Sequence, residues 1–229
     1  MSTDHPSIRS FVRRESRITA AQERNLSTLW HVYVLEEKIL DFGQVFGRQA
    51  PIYLEIGFGN GEFLAGQAKT HPEVDFIGIE VHRPGVGRLL GELQTKEIAN
   101  VRVFCADAVE VLRTQIQDHA LTRVYILFPD PWPKRKHQKR RLVQPEFVEM
   151  LYKKVKPGGQ VYLATDWEEY ATQIKTVFSE VPCWESVINT EGSIARNGLT
   201  RFETRGIKLG HSIQDLVFAR TKCAVETLL

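Results

Sequence analysis

Cysteine is scarce in this 229-residue sequence: Cys105, Cys183 and Cys223 stand far apart with no paired spacing. That pattern gives neither a disulfide framework nor a tetrahedral zinc signature, and it fits a reducing compartment. Long apolar runs are missing too; no stretch approaches the ~20 residues needed to cross a bilayer. Met1 to Ser10 is polar and lacks the apolar centre of a signal segment, so neither secretion nor membrane insertion is expected and the cytoplasm is. Large net charge is also absent. The sum is only +2 although a quarter of the residues are charged, so any basic surface must be local. Internal repeats and low-complexity stretches are lacking, and the length suits one well-filled domain rather than two.

What is present is mostly regular. The opening stretch carries Arg9, Arg13, Arg14, Arg17 and Arg24 among few acids, with too few apolar residues for a packed face. Residues 1–18 read as a mobile basic arm, residues 19–221 as the domain and residues 222–229 as a tail. Thr19 with Gln22 three places on forms a capping-box pattern, and helix is possible as far as Leu40, although Val32, Tyr33 and Val34 leave that end ambiguous. Strand-length apolar runs at Ile52 to Ile56, Phe76 to Ile79, Val101 to Cys105, Val124 to Phe128 and Val161 to Ala164 alternate with helical segments. Those segments are Glu62 to Thr70, Pro84 to Glu97, Ala108 to Asp118, Pro145 to Lys154 and Glu168 to Glu180, with Lys156 to Gly159 as a turn from helix to strand. Weaker strands near Trp184 to Asn189 and Leu216 to Ala219 complete a sheet of about seven. The alternation predicts an α/β fold with a mostly parallel sheet flanked by helices.

Acids mark the ends of three successive predicted strands. Glu55 leads into Gly57-Phe58-Gly59-Asn60-Gly61, a turn whose glycines let a ligand approach the backbone closely. Dinucleotide sites place a third glycine three residues after the second; here that place is Glu62, whose carboxylate repels a pyrophosphate. Glu55 suits a ligand with a cationic amino acid end. Glu80 can accept ribose hydroxyls, and Asp107 an exocyclic adenine amine. Each of these two alone serves equally well as a helix cap; their coincidence with the glycine turn carries the argument. Phe58 and Phe63 read as packing residues.

The fourth strand runs into Pro129-Asp130-Pro131-Trp132-Pro133, followed by eight residues, Lys134 to Arg141, of which six are Lys or Arg. The prolines stiffen the loop and hold Asp130 at the strand's end. The cations form either a solvated face or a phosphate-binding stripe beside a pocket, and Trp132 either stacks on a base or packs among the prolines.

With these residues in view, the sequence closely resembles the bacterial tRNA guanine-N7 methyltransferases from Ser10 to Arg220. The resemblance runs through Glu55 to Gly59, Phe128 to Trp132, the basic run, Thr165-Asp166 and Thr200 to Gly206. It implies a Rossmann-like class I methyltransferase fold and transfer of a methyl group from S-adenosylmethionine, leaving S-adenosylhomocysteine, to N7 of the variable-loop guanosine at position 46 of tRNA. It implies that Glu55, Glu80, Asp107 and Asp130 surround the cofactor beside Gly57 and Gly59, with Asp130 also the active-site acid. By the same resemblance Lys134, Asp166, Thr200, Arg201, Phe202 and Glu203 contact the tRNA substrate, and Lys136, His137, Gln138, Lys139, Arg140 and Arg141 form an RNA-interacting segment. No metal, no membrane and no obligate protein partner are implied, and monomer and homodimer both remain open. Lys136 departs from the family, which more often has Arg there; losing the planar fork weakens one phosphate contact. Three rival readings stay open on the residues alone: a non-catalytic RNA-binding protein, a nicotinamide-dependent dehydrogenase, and a methyltransferase of exocyclic amines.

Overall fold

A computed structural model describes residues 17–36, 39–187 and 212–222. The strands are β1 (Ile52–Ile56), β2 (Asp75–Ile79), β3 (Val101–Phe104), β4 (Leu121–Leu127), β5 (Val155–Thr165), β6 (Trp184–Ser186) and β7 (Gln214–Arg220). They form one sheet in the order β3-β2-β1-β4-β5-β7-β6. The first five are mutually parallel, and β7 runs antiparallel to both its neighbours. The helices are α1 (Ala20–Tyr33), α2 (Phe42–Phe46), α3 (Glu62–Thr70), α4 (Arg83–Thr95), α5 (Ala108–Thr114), α6 (Pro145–Lys154) and α7 (Glu168–Glu180). Alternate residues of each strand serve opposite faces, so β2 sends Phe76 into one apolar cluster and Ile77 and Ile79 into the other. Burial of both faces explains why the central strands read as continuous apolar runs.

Several local expectations are refined. The capping box forms: the Thr19 hydroxyl accepts from the Gln22 amide at 3.3 Å, and the Gln22 side chain accepts from the Thr19 amide at 2.9 Å. Helix α1 stops at Tyr33 and does not reach Leu40. Val34 instead bridges β3 at Val103, and the Leu35 amide donates to the Val103 carbonyl at 2.8 Å, as suits a β-branched stretch at a sheet edge. Helix α2 has no counterpart in the sequence reading. Asp41 caps it and Gly47, in the left-handed conformation, ends it. Helix α5 ends at Thr114, short of Asp118.

Lys156 to Gly159 is a bulge inside β5 rather than a turn before it. Leu121 pairs with Val155 and Arg123 with Gln160, so the extra residues loop out while the strand continues. Cys105 is a free thiol, and Cys223 lies outside the described residues. Where β6 and β7 pair, the Thr221 amide donates to the Cys183 carbonyl at 2.9 Å.

Candidate active site

Strand order reverses between β1 and β4, whose neighbours lie on opposite sides. Ligands of open α/β sheets bind in the crevice at the carboxyl ends of such a pair. Ile56 stands opposite Ile126, so the glycine turn leaving β1 and the proline loop leaving β4 emerge side by side.

Gly57, Gly59 and Gly61 all lie in the left-handed region, at φ of 75°, 59° and 84°. That conformation carries the chain around the turn, and side chains there would be strained. Glu80 fastens the turn: its Oε2 accepts from the Gly59 amide at 2.8 Å, and its Oε1 accepts from the amides of Val81 at 2.7 Å and His82 at 2.9 Å. Of a carboxylate's roughly four acceptor sites, backbone donors thus hold three. The half-buried side chain is preset in orientation with little capacity to spare.

Glu55 is only 3% exposed, and its Oε2 has no hydrogen-bond partner. Burial, reinforced by the nearby carboxylates of Glu80 and then Glu62, pushes its pKa up to about 8. A buried acid beside two others, at the mouth of a glycine turn, is a place that gains from a cation. Asp107 caps α5, its Oδ1 accepting from the Val109 amide at 2.8 Å and the Glu110 amide at 3.4 Å. The capping alternative is therefore realised, at the end of β3 where the ligand reading also needs the acid.

Beyond β4 the backbone is strained. Phe128 and Trp132, on either side of Asp130, have φ of 52° and 42°. Bulky residues in that region cost of order 1–3 kcal/mol each and cluster at functional sites. Nothing in the composition of the loop announces this, and sequence reasoning missed it. Asp130 itself is exposed, in the loop that leaves β4.

The basic run forms a short 3₁₀ turn, Arg135–Arg140. Lys134, Arg135, Lys136 and Lys139 are exposed; Arg140 lies over the Trp132 ring at 4.2 Å, with His137 against the same ring. Trp132 thus packs on its own loop's cations. Two members of the predicted RNA segment turn elsewhere. The Gln138 side chain donates to Glu169. Arg141 is buried, its guanidinium donating to the Pro131 carbonyl and to Gln173 and Glu169 of α7, so it does not belong to the exposed stripe.

Asp166 follows β5 and is not the cap of α7; that place is Trp167. With Trp167, Glu168 and Glu169 it lines an open cleft of about 290 Å³. Thr200, Arg201, Phe202 and Glu203 lie outside the described residues. Sequence reasoning also missed Gly85, where a Cβ would stand 2.0 Å from the Gly59 carbonyl oxygen. Its signal was a glycine in the first turn of the helix that follows Glu80. His82 caps the same helix through its ring nitrogen.

Residues 49–216 match the family model described as "Putative methyltransferase". The chain is 48% identical to the tRNA (guanine-N(7)-)-methyltransferase of Hydrogenovibrio crunogenus, over 96% of this chain and 95% of that one. It is 50% identical to the enzyme of the same name from Alkalilimnicola ehrlichii, over 93% and 92%. Among solved structures, the 16S rRNA methyltransferase KamB is similar with a TM-score of 0.59 and 12% identity, over 81% of this chain and 95% of that one. The aminoglycoside resistance methyltransferase NpmB1 gives a TM-score of 0.52 and 16% identity, over 90% and 95%. Those two show the fold alone, whereas identity near one half along almost the whole length is decisive. The chain belongs to the tRNA (guanine-N(7)-)-methyltransferase family.

Proposed function

We propose that the chain methylates N7 of the variable-loop guanosine at position 46 of tRNA, with Glu55, Glu80, Asp107, Gly57 and Gly59 holding S-adenosylmethionine and Asp130 orienting the reaction. The unpartnered Oε2 of the buried Glu55 side chain at the glycine turn carries the cofactor reading. It offers an acceptor for the α-ammonium group, while Glu80 takes a ribose hydroxyl and Asp107 faces the adenine amine. Bound there, S-adenosylmethionine supplies an electrophilic methyl group on a sulfonium.

Guanine N7 already has an in-plane lone pair, so no residue need remove a proton from the attacking atom. Positioning then dominates, and orientation of two bound reactants is worth up to ~7–11 kcal/mol through effective molarity. Methylation leaves the base cationic, so a carboxylate held beside the crevice stabilises the charge as it develops. Asp130 fills that role, as an orienter and not a nucleophile. Asp166 and Glu203 suit the N1–H and N2 donors of guanine, and Lys134 suits O6. The exposed cations Lys134, Arg135, Lys136 and Lys139, with Arg140, dock the phosphate backbone; His137 supports them through Trp132. Such a substrate places the work in the cytoplasm, and among the described residues no helix is long and apolar enough to cross a membrane.

The position is tested with two tRNA transcripts, one carrying guanosine at position 46 and one carrying adenosine. The account predicts methyl incorporation into the first alone; equal incorporation into both would move the target to another guanosine.

A further inference from the structure

We propose that Arg141 is a positioning residue that holds the Asp130 loop in register with the Asp166 loop, rather than a phosphate contact. The inference rests on the functional reading above. Its side chain is only 1% exposed, in a run where Lys134, Arg135, Lys136 and Lys139 are exposed. The Nε donates to the Pro131 carbonyl at 2.7 Å, one residue from Asp130. The Nη1 donates to Gln173, and the Nη2 to Glu169 at 3.2 Å. Both acceptors lie on α7, which begins two residues after Asp166. The guanidinium also lies over the Tyr170 ring, 4.9 Å from its centroid.

The sheet does not hold these two loops together. Its β4–β5 ladder ends at Leu127 opposite Ala164, with one more bond from the Phe128 amide to the Ala164 carbonyl at 2.7 Å. Beyond that point the Asp130 and Asp166 loops leave the sheet separately, and among the described residues the planar fork of Arg141 bridges the Asp130 loop to the helix that follows Asp166. The following residues stiffen its seat. The Val143 amide donates to the Tyr170 hydroxyl at 3.1 Å, and the Gln173 amide donates to the Val143 carbonyl at 3.2 Å. Lysine cannot substitute, because its donors radiate from one compact nitrogen and do not span a carbonyl on one side and α7 on the other.

The test uses the full-length enzyme with Arg141→Lys and, separately, the double variant Glu169→Ala/Gln173→Ala, which cuts the α7 side of the bridge without removing a cation. For each, cofactor affinity, the salt dependence of tRNA binding, and kcat and KM for tRNA are measured. Displacement of about 1 Å at a reacting centre costs on the order of 100-fold in rate. The expected result is therefore a fall in kcat of about 10- to 100-fold in both variants, with KM for tRNA, the salt slope and cofactor affinity nearly unchanged. A raised KM for tRNA in Arg141→Lys with kcat kept would make Arg141 a phosphate contact and overturn the proposal. Full kcat in the double variant would overturn it as well, and decides the matter if Arg141→Lys does not fold. A wild-type enzyme that leaves tRNA unmethylated would sink the parent reading; an active wild type with indifferent variants sinks only this one.

Discussion

Glu55 illustrates how a single residue's environment becomes a binding property. Its pKa of about 8 lies above the ordinary carboxylate value because burial and two neighbouring acids disfavour the charge. The unfolded chain ionises Glu55 in the ordinary carboxylate range while the folded, ligand-free chain keeps it protonated up to about 8, so this group's contribution to stability is lost as pH rises between the two. A cationic ligand needs the ionised form, so binding must expel a proton below that pH. Calorimetry of S-adenosylmethionine binding at pH 7 in buffers of different ionisation heat should register nearly one proton released. Affinity should climb by up to about tenfold per pH unit until near pH 8. Glu55→Gln should abolish the proton release and weaken binding; a release that persists unchanged would acquit Glu55. Gly85→Ala is expected to lower cofactor affinity at least about tenfold, because the added Cβ would collide with the Gly59 carbonyl and push the turn aside. Gly66→Ala, where nothing lies within 4 Å, should instead stabilise by about 0.5–1 kcal/mol in a thermal melt. At this scale the sequence was legible wherever a residue's place followed from a strand end, as with Glu55, Glu80 and Asp107. It was illegible for Arg141, since a run of cations does not say which one turns inward; Tyr170 and Glu169, about thirty residues away, decide that.

Among the elements, helices and strands with a clean apolar period lie where the pattern put them: β1, α3, α6 and α7 begin and end at the expected residues. The misses share a cause. Helix α1 ends early and the Lys156 to Gly159 bulge continues a strand because tertiary pairing, with Val103 in one case and β4 in the other, overrides local preference. The basic turn is an element whose function depends on which cations face out. With Lys136 and Lys139 exposed, neutralising both as Lys136→Gln/Lys139→Gln should make the plot of log affinity for tRNA against log salt shallower by about 1.4, at the single-strand coefficient. An unchanged slope would return the turn to a solvated face.

On the scale of the whole molecule, the reversal between β1 and β4 brings the loops that leave these two strands out side by side at the carboxyl edge of the sheet. Alternation of strand and helix made the parallel sheet foreseeable, and the strand-end acids stand along the carboxyl edge to which the account assigns the cofactor. The strand order itself was not in the periodicity, because hydrophobic spacing says which faces are buried and not which strands are neighbours. The basic arm expected over residues 1–18 lies almost wholly outside the described residues, and the account assigns it to tRNA binding. Deleting residues 1–18 should weaken tRNA binding severalfold, leave cofactor affinity unchanged, and flatten the salt dependence; unchanged tRNA affinity would dismiss the arm from recognition. The most direct measurement incubates the chain with methyl-labelled S-adenosylmethionine and unmodified tRNA, digests the RNA, and identifies the labelled nucleoside. The account predicts label in 7-methylguanosine, lost in Asp130→Ala; label in any other nucleoside, or the same yield from Asp130→Ala, would contradict it.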